Sequence, residues 1–133
     1  MINAHEMALV NAFIIKQKRG RILEMLASQK GRQKLVWALP HFKGLDPRFA
    51  QSINPGLQTP RDILNILNAR GAAQSCHVIS ENHALDAREM LLSEALEEVV
   101  GKGYGALLSC IPGKLGYYEG EDPGRRFLLE RSD

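Results

Sequence analysis

The sequence predicts an α+β fold: N-terminal helices followed by a mainly antiparallel sheet of about four strands with one covering helix. Three observations carry this. Residues 4 to 71 are written in helical grammar, with helix-start signals at Asp46-Pro47 and Thr59-Pro60. Residues 105 to 119, GALLSCIPGKLGYYE, are hairpin grammar: an apolar run over Ala106 to Ile111, a turn at Pro112-Gly113, and a resumed run over Leu115 to Glu119. A second turn at Glu121-Asp122-Pro123-Gly124 leads into Arg126 to Glu130, which reads as a further strand.

Taken in order, the first helix is expected from about Ala4 to Ser28. Ala8, Ala12, Ile15, Arg19, Ile22 and Leu26 form one stripe in which only Arg19 is polar. Such a seam packs on the domain's own core or, less commonly, on a second copy, and Ile15, Arg19, Ile22 and Leu26 are the candidate seam contacts. Gly31 ends this helix or joins it to a second one over Arg32 to Leu39, closed by Pro40. Trp37, the sole tryptophan, is expected as a core anchor rather than a base-stacking platform. Asp46 as a cap and Pro47 in the first turn predict a third short helix over 47 to 53. Thr59, Pro60 and Asp62 start another, stopped by Gly71. Beyond it Cys76 to Ser80 is the first strand. Asp86 and Glu89 then make a capping-box-like start for a helix ending at Gly101, with Ser93 as an alternative start.

A chain of 133 residues is one domain's length, with a basic helical part over 1–71 and an acidic strand-rich part over 72–133. The net charge of +2 conceals the asymmetry. Residues 1 to 50 carry nine Lys/Arg against three acids, whereas residues 76 to 133 carry six against eleven. Either the halves attract each other, the basic half faces an anionic partner, or copies of the chain associate head to tail. Two cysteines make no disulfide framework and point to a reducing, cytoplasmic setting. The N-terminal apolar run precedes its basic residues, the reverse of a secretory signal, and is too short to span a membrane.

The motifs that invite chemistry are weak. GKGYG, residues 101 to 105, runs from helix into strand, the wrong order for a phosphate loop. Cys76 and His77 with Glu81 and His83 are a local collection of reactive groups, yet adjacent strand residues face opposite ways, leaving a buried thiol and an exposed imidazole as the plain expectation. Cys110 reads as a small filler in the sheet, activated only by an approaching Lys114 or Arg125. Glu119, Glu121 and Asp122, with Lys114, are the best basis for a metal-dependent phosphodiester hydrolase, the alternative from the enzyme class. No cofactor is implied. Lys16, Lys18, Arg21, Lys30, Arg32 and Lys34 are the candidate anion or nucleic-acid contacts. The leading expectation is an interaction protein that binds another macromolecule or itself, with nucleic acid one such partner.

Overall fold

The computed structural model describes residues 2–132 and is α+β, with a six-stranded, all-antiparallel sheet between two helical layers. The elements are α1 (Ala4–Phe13), α2 (Lys16–Leu26), α3 (Gln29–Ala38), β1 (Ala50–Ser52), α4 (Pro60–Ala69), β2 (Ser75–Ser80), β3 (Glu89–Leu91), α5 (Leu92–Val99), β4 (Ala106–Ile111), β5 (Leu115–Glu119) and β6 (Arg126–Glu130). The strand order is β1-β6-β5-β4-β2-β3. The four strands expected from sequence are the inner four. The two unexpected ones, β1 and β3, are three-residue edges created by pairing with β6 and β2. Strands that short carry no readable alternation.

The alternation along each inner strand feeds two cores rather than one. Cys76, Val78, Ala106, Leu108, Cys110, Leu115, Tyr117 and Leu128 face α4 and α5. Ile79, Leu107, Tyr118 and Leu129 face α1, α2 and α3. Both faces are therefore dry, so β2, β4 and β5 read as nearly continuous buried runs. The N-terminal helices cover the second face of the sheet.

The single helix expected over Ala4 to Ser28 is two. Asn3 caps α1 through its side chain, and the helix ends at Phe13. Ile14 is extended and bridges Leu45, while Ile15 N donates to Gly44 O and Asp46 N donates to Phe13 O. Those backbone groups bond to the 44–46 segment instead of the helix ladder, a competition the stripe could not reveal. Gly31 also differs from expectation: it lies within α3, three residues after the Ser28 cap that accepts from its N–H. A Cβ there would meet Met25 O at 2.6 Å, so the glycine permits the close crossing of α2 and α3.

The helix expected after Asp46-Pro47 is absent; Ala50–Ser52 is strand β1, whose register pairs Ala50 with Leu129. Asp46 holds Arg48 by side-chain hydrogen bonds instead of capping a helix. Asp86 likewise caps nothing. It accepts from Ser80 N and Arg32, and α5 begins at Leu92, near the alternative start. The α4 start is as read: Thr59 and Asp62 form a reciprocal capping box with Pro60 in the first turn.

Candidate functional site

Three places gather polar chemistry, and they differ in what solvent can reach. The first lies between α1, α3 and the sheet. Arg32 donates from Nη1 and Nη2 to both Glu6 oxygens, at 2.8 and 2.7 Å, and from Nε to Asp86 Oδ2 at 2.7 Å. His77 Nε2 lies 2.6 Å from Glu6 Oε2. His5 stacks on the His77 ring and shares a 2.9 Å hydrogen bond with Ser109 Oγ. Burial pushes the Glu6 carboxyl upward, but hydrogen bonds from His77 and Arg32 outweigh it and hold the group at about 2. The ionised Glu6 is a pure acceptor, so His77 carries a proton on Nε2. Those carboxylates in turn raise the guanidinium of Arg32, with the Glu6 hydrogen bonds the largest cause.

Every charged oxygen and nitrogen in this cluster is already committed. Glu6 is 2% exposed, His77 4% and Ser109 is buried, so the hydroxyl has no route to a substrate. The cluster clasps α1 and α3 to β2 and the loop holding Asp86. The expected exposed imidazole at residue 77 is corrected here: His77 is buried because helices cover its face of the sheet. Cys76 points the other way, into the α4–α5 core. Burial is also the main cause of its thiol being pushed up to about 12, with Glu89 adding to it, and burial raises Cys110 further still. Exposed His83 has no part in the clasp.

The second cluster is around Glu119. That carboxylate is 0% exposed, accepts from Tyr117 Oη at 2.7 Å and Gly101 N at 2.9 Å, and lies 3.5 Å from Arg126. Burial raises its pKa, with Tyr117 and Arg126 opposing. Glu121 instead faces solvent and meets His41 at 2.9 Å, and Asp122 caps the Gly124 turn. The three carboxylates are thus dispersed between core and surface. Among the described residues no group of three His, Cys, Asp or Glu is placed to hold a metal ion.

The third place is the outer surface of α2 and α3. Residues four apart form rows on a helix, so Gln29, Gln33 and Trp37 make one row and Lys30 with Lys34 the next. Leu35, Val36 and Leu39 fill the opposite side and are buried. That division sends Trp37 outward, 72% exposed, against the expectation of a core anchor. Beside this face, between α2 and α3, runs a groove of about 460 Å³. Ile22, Met25, Leu35, Ala38 and Phe42 form its apolar floor; Lys18, Arg21 and Lys43 stand on its rim.

Of the six basic candidates, Lys16, Lys18, Arg21, Lys30 and Lys34 are exposed. Among the described residues none of these five has a carboxylate within ion-pair distance. Arg32 is different, being bound within the clasp. Of the seam residues, Ile22 and Leu26 are buried in the fold's own core, Arg19 Nε donates to Ile14 O, and half-buried Ile15 lies in the break between α1 and α2. Gln29, Gln33, Trp37, Lys43 and Phe42 complete the surface and were absent from the sequence-based candidates, although a helical wheel of residues 29 to 38 carries the signal for three of them. No protein-family model, curated protein or solved structure matches the chain. No helix among the described residues is long and apolar enough to cross a membrane.

Proposed function

We propose that the protein works by binding an anionic macromolecule through the outer surface of α2 and α3, with Trp37 as the apolar anchor. The observation that carries this reading is the exposure of the only indole among unpaired cations. Leaving most of a tryptophan in water forgoes roughly 3–4 kcal/mol of burial. Surface aromatics flanked by basic groups regain that energy at an interface, where tryptophan is over-represented among the residues that dominate affinity. The two other polar clusters support the same reading by their geometry, since the clasp is saturated by internal partners and Glu119 is sealed within the core.

The hydrolytic alternative needs Glu119, Glu121 and Asp122 to converge, and their placement provides no such convergence. Self-association through the α1–α2 seam needs that seam to face solvent, whereas Ile22 and Leu26 pack inward.

Retention on immobilised heparin at low salt tests the proposal. Lys30→Glu with Lys34→Glu should elute at distinctly lower salt than the wild type. Arg61→Glu with Lys114→Glu changes net charge equally but lies on α4 and in the β4–β5 turn, outside this surface, and should shift elution little. Equal shifts for the two double variants would mean that net charge alone is being read, and the proposed surface would then be wrong.

A further inference from the structure

We propose that the macromolecule is a single-stranded nucleic acid, an assignment that rests on the preceding reading and specifies its partner: bases stack on Trp37 and enter the α2–α3 groove while phosphates lie on Lys34, Lys18, Arg21 and Lys43.

The surface has the two components that unpaired polynucleotides require, arranged side by side. One is a π platform. The indole of Trp37 is 72% exposed at the end of a row that Gln29 and Gln33 extend over about 12 Å of helix. The other is a cationic track. Going round α3 from Trp37, the next row outward is Lys34, and beyond it Leu35 and Ala38 open into the groove. The groove's floor is apolar and its rim is cationic, which suits a flat heteroaromatic ring joined to phosphate. At one end of the groove His41 is engaged by Glu121 at 2.9 Å, so its imidazole is not assigned to the track.

Charge and composition favour a polynucleotide over an acidic protein. The only carboxylate on α2 or α3 is Glu24, and it is absent from the groove lining. The centre of a protein–protein interface is depleted in lysine, whereas here Lys30 and Lys34 of α3 border the anchor and Lys18 of α2 lines the neighbouring groove. Phosphates every nucleotide match such dispersed cations, and sequence-tolerant stacking needs only a ring face. That same requirement selects unpaired strands. In a duplex the ring faces are covered by neighbouring base pairs and only edges reach the grooves, so Trp37 would have nothing to stack upon. Gln29 and Gln33 add carboxamides able to donate to and accept from exposed base edges.

Because Trp37 is the sole tryptophan, its fluorescence reports the contact directly. The experiment titrates the full chain with short oligo(dT), with a duplex of the same length and with heparin, and follows both intrinsic fluorescence and the anisotropy of labelled oligonucleotide. Oligo(dT) should bind and quench Trp37, with a log–log salt slope of roughly −3 for four phosphate contacts. Trp37→Ala should weaken binding between about 5- and 150-fold by anisotropy. Lys18→Glu with Arg21→Glu should weaken it and flatten the salt slope by at least about 1. Lys114→Ala should do neither, and circular dichroism checks that each variant is folded.

Heparin binding with no quenching by oligo(dT) would overturn the single-strand assignment while leaving the anionic-partner reading intact. A duplex bound more tightly than the single strand would overturn it as well. Failure of heparin and oligo(dT) alike to bind at low salt would overturn both.

Discussion

Replacing Glu6 by glutamine tests the clasp that holds α1 and α3 against the sheet. In the folded protein Glu6 is held at about 2, against 4.5 for an unperturbed carboxyl. A folded pKa below the unfolded one contributes stability that is fully present above the unfolded value and is lost as pH falls through the folded one. The difference of about 2.5 corresponds to about 3 kcal/mol at neutral pH, falling to about 1 kcal/mol at pH 3. The side chain is only 3% exposed, so solvent screening removes little of this. Glutamine removes the charge and presents an N–H₂ toward groups that are themselves donors, Arg32 and His77.

Glu6→Gln should therefore lose about 3 kcal/mol at pH 7, similar to the loss on breaking a buried ion pair, and melt about 10 °C lower. Urea denaturation of both proteins at pH 7, 5 and 3 measures it. The gap between them should narrow as the pH drops. A loss below about 1 kcal/mol at pH 7, or a gap that stays constant down to pH 3, would refute the argument that ionised Glu6 anchors the clasp.

Three further outcomes are expected. Gly105→Ala should destabilise the fold by about 1–3 kcal/mol or more in the same assay, because the added Cβ would lie 2.4 Å from Leu39 C and Pro40 N, and backbone on both sides resists relief. Tyr117→Phe should cost about 1–3 kcal/mol, since it leaves buried Glu119 without its shortest donor. Native protein should resist iodoacetamide at Cys76 and Cys110, judged by mass spectrometry near neutral pH. Both thiols are buried and pushed upward, so labelling should become rapid only when denaturant opens the α4–α5 core.

How much was legible in the sequence follows the range of the interactions. The β4–β5–β6 meander was readable because Pro112-Gly113 and Pro123-Gly124 specify turns between neighbouring runs, with Gly113 at φ 73°. The α4 capping box was readable because Thr59 and Asp62 complete each other three residues apart. Within the surface assigned to binding, the excess of lysine and arginine was visible as composition, and Lys18, Arg21, Lys30 and Lys34 are exposed as a charged residue without a partner should be.

What tertiary structure alone decided were the places where a local preference met a distant competitor. Ile14 leaves the helix for Leu45; Ala50–Ser52 becomes a strand because β6 offers it a ladder. Asp86 forgoes a helix cap for Ser80 N and Arg32, and Glu6 finds His77 across 71 residues of chain. Trp37 is the sharpest case. Its hydrophobicity favours burial, but Leu35, Val36 and Leu39 take the inward side of α3, and a rigid helix cannot turn two opposite faces to one core. Local grammar therefore determined where the elements with strong caps and turns lie, while the second helical layer over the sheet decided which side chains were sealed and which were left exposed.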